Sequence, residues 1–136
     1  MIVVDASLMI GWLIEEPEAE SVRYIYEALD EIPIVVPNHW PVEIGSALHV
    51  NIRRKRITAD ALGILQARFD ALGIEIDIPL AVSEITRIAK FAAELELTVY
   101  DALYVRLARN RELPLATLDT AMRRAAQRLN IPLLPA

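Results

Sequence analysis

Five short apolar runs, each separated from the next by stretches of helical spacing, constrain this chain more than any other feature. Ile2-Val3-Val4, Ile34-Val35-Val36, Ile74 to Ile78, Leu115-Ala116-Thr117 and Pro132-Leu133-Leu134 read as strands, mostly edged by Pro or Gly. Between them the spacing of apolar residues predicts helices over about 7–13, 17–31, 39–55, 58–72, 80–95, 99–111 and 120–130. Pro17 and Pro41 fall in first turns, Thr58 and Asn38 suit N-caps, and Gly73 marks a stop. Strands joined by helical crossovers pair in parallel and need cover on both faces. The expected fold class is therefore α/β, three-layered, with a central mostly parallel sheet of about five short strands flanked by about seven helices.

A chain of 136 residues, 54% hydrophobic and 24% charged, has the size and composition of one globular domain, taken here as 1–136, and not of a disordered segment. Its longest stretch without Asp, Glu, Lys or Arg is the 11 residues from Ile32 to Val42, broken by Pro33, Pro37 and Pro41, far short of the ~20 that a membrane span needs. No basic residue precedes Arg23, and Asp5 interrupts the first apolar run, which argues against a secretory signal peptide. With no Cys, these features point to a soluble, cytoplasmic protein without disulfides or thiolate metal sites. The net charge of -5 hides a polarity: residues 1–50 hold nine acids and one base, whereas 51–136 hold ten acids and thirteen bases. That balance excludes a protein that coats nucleic acid indiscriminately but leaves room for a local basic track.

In open parallel sheets, ligands gather beyond the carboxyl ends of the strands. Asp5 ends the first run and Asp119 follows the fourth, so both carboxylates belong at one edge. Each has a plainer explanation as a helix cap; Asp119 suits the helix after it, while Ser7 is better placed than Asp5 to cap the first helix. Two more acids lie on apolar helix faces. At about 100° per residue, Glu43 falls within the arc that runs from Val50 through Ala47, Trp40 and Ile44 to Leu48, and Asp101 within the arc from Leu103 through Leu107, Tyr104 and Ala108 to Val105. A glutamate there must face a basic partner or a metal, because an unpaired carboxylate costs several kcal/mol to desolvate. For Asp101, Thr98-Val99-Tyr100-Asp101 also makes a loose capping box. Asn51 reads as a satisfied core amide, and His39 and His49 as surface or interfacial residues. Four converging carboxylates would repel and titrate with raised pKa values unless divalent cations offset them; hard oxygen donors suit Mg²⁺ or Mn²⁺ rather than zinc.

The stretches Ile2-Val3-Val4-Asp5-Ala6-Ser7, Pro37-Asn38-His39-Trp40-Pro41-Val42-Glu43-Ile44-Gly45-Ser46-Ala47-Leu48, Thr98-Val99-Tyr100-Asp101-Ala102-Leu103-Tyr104 and Leu115-Ala116-Thr117-Leu118-Asp119 resemble the four signature blocks of PIN-domain ribonucleases. Order, spacing and length are similar to the VapC toxins of prokaryotic toxin–antitoxin systems, and the resemblance covers essentially the whole chain. It implies an acidic quartet of Asp5, Glu43, Asp101 and Asp119 that binds Mg²⁺ or Mn²⁺, with Ser7 and Thr117 at the assisting hydroxyl positions. It further implies metal-dependent hydrolysis of RNA, a homodimer, and a cognate VapB-like, DNA-binding antitoxin that reaches the site along a groove near residues 7–31.

Two competing readings fit less well. An aspartyl phosphatase normally wants a second acid two positions after the first, where this chain has Ser7; a receiver-like module needs a late Lys, and the last here is Lys90. For RNA, the residues to expect are Arg53, Arg54 and Arg56, at the end of the helix that bears Glu43, together with Arg106. The run also suits a helix C-terminus electrostatically. The apolar density of Met9, Trp12, Leu13, Ile14 and Trp40 leaves either core or a dimer surface as its use.

Overall fold

The computed structural model describes residues 1–14 and 20–136. Five strands, β1 (Ile2–Val4), β2 (Ile34–Val36), β3 (Glu75–Ile76), β4 (Leu115–Ala116) and β5 (Leu133–Leu134), form one sheet in the order β3-β2-β1-β4-β5. Every pairing is parallel, with Val3 opposite Val35 on one side and Leu115 on the other. All three residues of β1 and of β2 are buried, as strands covered on both faces require. The described residues hold seven α-helices: α1 (Ala6–Leu13), α2 (Glu20–Ala28), α3 (Trp40–Arg53), α4 (Leu62–Leu72), α5 (Ile85–Leu95), α6 (Val99–Arg111) and α7 (Thr120–Arg128). The expected three-layer α/β class and the seven helical stretches are thus present; the expected start of the second helix, with Pro17 in its first turn, lies outside the described residues.

Several boundaries moved for local reasons. The stretches beginning at 58 and 80 open as 3-10 turns, Ala59–Ala61 and Val82–Glu84, before α4 and α5. Thr58 stands at the head of the first turn without a side-chain cap bond, and His39 rather than Asn38 occupies the cap position of α3, also without one. Gly73 ends α4 as expected, at φ 59, where a side chain would strain the backbone. Strand β3 is shorter than the run 74–78 because it lies at the sheet edge, where only β2 pairs with it.

The core contains Met9, Leu13 and Trp40 together with β1, β2, β4 and the inner faces of α6 and α7. That settles the use of three of the five residues considered for a dimer surface: they are interior. Trp12 is partly buried, with the Arg68 guanidinium 4.7 Å from its ring centroid.

Candidate active site

The strand order reverses between β1 and β4, so the chain leaves these neighbours toward opposite faces of the sheet and a crevice opens at their carboxyl ends. Asp5 follows β1 and Thr117-Leu118-Asp119 follow β4. The Asp5 N–H donates to the Ala116 carbonyl at 3.1 Å, which extends the ladder to the rim of the crevice. Asp5 itself, not Ser7, caps α1: its Oδ1 accepts the Leu8 N–H at 2.7 Å. The extended backbone of Asp5 places the cap at the last residue before the helix, which leaves Ser7 exposed in the first turn. Its Oδ2 accepts the hydroxyl of fully buried Thr117. The Thr117 oxygen also accepts the Asp119 N–H at 3.0 Å, and Asp119 Oδ1 in turn caps α7 by accepting the Met122 N–H at 2.8 Å. One hydroxyl therefore ties the two strand-end acids together.

Asp101 enters on the first turn of α6, whose N-cap Thr98 accepts the Asp101 N–H at 3.1 Å. Glu43 enters on α3, half-buried, facing Tyr104 of α6. The Tyr104 hydroxyl donates to Glu43 Oε1 at 2.9 Å, and His39 Nε2 makes a short but bent contact of 2.7 Å with the same oxygen. His39 was expected to be a surface or interfacial residue; its ring is largely covered within the chain itself, 5.2 Å from Tyr104 and 5.6 Å from Tyr100 between centroids. His49 is exposed as expected, and Asn51 is a buried amide whose Nδ2 donates to the Ala47 carbonyl.

Burial, then the charges of Asp119 and Asp101, raise the pKa of Asp5 to about 6 against the bonds from Thr117 and Leu8. Asp101 is also raised, by burial and by Asp119 and Glu43. Asp5 and Asp101 thus both feel the charge of Asp119, and Asp101 also feels that of Glu43. Glu43 departs from the expected common rise: burial pushes it up, but the close His39 imidazole and the Tyr104 hydrogen bond outweigh that and lower it. Burial and the adjacent Glu43 drive the Tyr104 phenol upward, so it remains a donor. Among the described residues, no group of three or more His, Asp and Glu side chains is already drawn together to hold a metal ion.

The expected basic residues divide. Arg56 lines a hollow of about 330 Å³ with Ser7, Glu43 and Asn51. Arg53 and Arg54 line a different hollow, with Val50. Arg106 is largely covered and lies 3.7 Å from Glu84. Sequence reasoning missed His39 and Tyr104 as members of the site. The signal for His39 was its position one turn before Glu43; Tyr104 likewise sits one turn beyond Asp101 on the face that Asp101 occupies.

A parallel α/β sheet with acids at its switch point defines a class of proteins that work on ligands at a strand-end crevice. The sequence matches the PIN domain family over residues 2–128, and the chain belongs to that family, one of nucleases. Among solved structures, PAE2754 from Pyrobaculum aerophilum is similar at 20% identity and a TM-score of 0.72, covering 98% of this chain and 89% of that one. FitAcB from Neisseria gonorrhoeae is similar at 18% identity and a TM-score of 0.63, covering 98% and 96%. No curated protein matches the sequence. No helix among the described residues is long and apolar enough to cross a membrane.

Proposed function

We propose that this chain is an endoribonuclease toxin that hydrolyses RNA phosphodiester bonds with Mg²⁺ or Mn²⁺. In this reading it is a cytoplasmic homodimer of one PIN domain per chain, 1–136, neutralised by a cognate VapB-like, DNA-binding antitoxin. The observation that supports it is geometric: the Thr117 hydroxyl ties Asp5 to the Asp119 backbone at the carboxyl ends of β1 and β4, and Asp101 lines one hollow with Glu43. Among the described residues no Lys or Arg makes an ion pair with Asp5, Glu43, Asp101 or Asp119, which leaves their carboxylates open to a cation. The donors are all hard carboxylate oxygens, which fits Mg²⁺ or Mn²⁺.

Asp5 and Asp101 are the direct ligands in this reading, with Glu43 and Asp119 acting through water or at a second position. Each carboxylate oxygen has two lone pairs, so Asp5 accepts from Leu8 and Thr117 and still has capacity for a cation. When bound, a divalent cation polarises the scissile phosphate and promotes ionisation of the attacking water. Thr117 fixes the orientation of Asp5, and the exposed Ser7 hydroxyl is free to donate to a phosphate oxygen. Arg56, on the same hollow as Ser7 and Glu43, supplies positive charge for a neighbouring phosphate.

The decisive experiment is cleavage of single-stranded RNA by antitoxin-free protein. Activity should need Mg²⁺ or Mn²⁺, cease in chelator, and fall by orders of magnitude in Asp5→Asn and Asp101→Asn. Cleavage that persists in chelator, or in both variants, overturns the assignment. Light scattering should give twice the chain mass of 15.3 kDa; a monomer at micromolar concentration removes the dimer.

A further inference from the structure

Two covered side chains at this site have no part in the reading above. Tyr104 is only 1% exposed, and a phenol buried that deeply costs free energy unless its hydroxyl is bonded. Its hydroxyl bond reaches across 61 residues of sequence, from α6 to Glu43 on α3, at 2.9 Å. His39 comes to the same oxygen from one turn earlier on α3, and its ring packs edge-on against Tyr104. Both meet Glu43 Oε1. Glu43 Oε2 has no partner among the described residues. One oxygen is bonded by the Tyr104 hydroxyl and contacted by His39, while the other is left open. The phenol also interacts with the backbone of Ala6, the residue beside Asp5, so the same side chain spans the two acids nearest β1 and α3.

We propose that Tyr104 and His39 are positioning residues for Glu43, fixing Oε1 so that Oε2 is the oxygen presented to a divalent cation or to water in its shell. This rests on the assignment of Glu43 to a cation site. Such outer partners usually matter by ten- to a hundredfold in metal affinity, because they set the direction and ionisation of the ligand rather than the number of ligands. A purely structural role would instead lower the melting temperature and leave metal affinity unchanged.

The test titrates Mn²⁺ into metal-free protein, followed by electron paramagnetic resonance, beside cleavage kinetics and circular dichroism. Tyr104→Phe keeps the ring and deletes the hydroxyl; it should weaken Mn²⁺ binding about tenfold and lower kcat with KM for RNA unchanged. In a Glu43→Gln background the same substitution should add nothing, since the residue acts through Glu43. His39→Gln, which restores an N–H near the Nε2 position, should stay near the parent, whereas His39→Leu should behave like Tyr104→Phe. If Tyr104→Phe does not fold, the His39 pair decides the matter. Parental Mn²⁺ affinity in Tyr104→Phe and His39→Leu overturns the inference, as does an equal effect of Tyr104→Phe with and without the Glu43 carboxylate. A parent that neither binds Mn²⁺ nor cleaves RNA overturns the cation site itself, and this inference with it.

Discussion

Asp5 is 1% exposed yet carries a carboxyl whose two oxygens both accept hydrogen bonds. Its pKa rises from 3.8 to about 6 on folding, mainly through burial. Below the unfolded value the group is protonated in both states and costs nothing. Between the two values the folded chain holds the extra proton, so stability falls as pH rises; above about 6 the full cost is present. At about 1.4 kcal/mol per unit the ceiling is on the order of 3 kcal/mol. An amide gives back part of this by losing an acceptor. Metal-free Asp5→Asn, in chelator, should therefore be about 1 kcal/mol more stable than the parent at pH 7 by urea unfolding, with the gain gone near pH 4. A variant less stable at pH 7 would show that the hydrogen bonds outweigh the buried charge. Thr117→Val tests the other side of the same contact. It keeps the shape but leaves an Asp5 oxygen and the Asp119 N–H without a partner in the interior, and should cost about 2 kcal/mol at pH 7. Unchanged urea midpoints would mean that water replaces the hydroxyl.

At the scale of elements, α3 carries a site acid and ends in the basic run, and the two ends of that run face different surroundings. Arg56 shares a hollow with Ser7 and Glu43, while Arg53 and Arg54 line another beside Val50. For single strands, each phosphate contact contributes about -0.7 to the slope of log affinity against log salt. In a cleavage-dead Asp101→Asn background, Arg56→Gln should weaken RNA binding and flatten that slope by about this amount. The Arg53→Gln, Arg54→Gln double variant should do neither; equal effects from both would return the whole run to the RNA track. Helices and strands were legible at this scale because helical spacing and short unbroken apolar runs are local properties of sequence, and the four acids stood out as charges on apolar faces or strand ends. What lay over those faces was not legible. A helical arc shows that Glu43 turns inward, but only the packing of α6 on α3 brings Tyr104, 61 residues away, to its oxygen. Likewise the cap at Asp5 depended on where β1 stopped, a boundary that the pairing with β4 fixes and the residues Val4-Asp5-Ala6-Ser7 do not.

For the whole molecule, the proposed activity has to be reconciled with a chain of net charge -5 acting on a polyanion. Net charge gives no long-range attraction, so in the proposed activity association would rest on the local charge of Arg56 and on cations at the acids, with target choice falling to contacts made after encounter. A nuclease of that kind damages its own cell unless something fills the crevice. A partner with a basic side chain answers that need, because it would offset the carboxylates gathered there and compete with the cations proposed to bind them. Part of the groove expected for such a partner, near 7–31, falls outside the described residues. The hollow beside α1, lined by Ser7, Ile10, Gly11 and Glu43, lies within them and leads from α1 to the site. Induced expression of the chain alone in a bacterial host should therefore arrest growth. Asp5→Asn, produced at the same level and no less folded, should relieve the arrest, and so should co-expression of a cognate antitoxin, to be sought as a small reading frame beside this gene. Relief by that protein should be accompanied by loss of Mn²⁺ binding in the purified complex. If cells grow normally while accumulating folded wild-type protein that still cleaves RNA in vitro, the nuclease assignment stands and the toxin assignment falls.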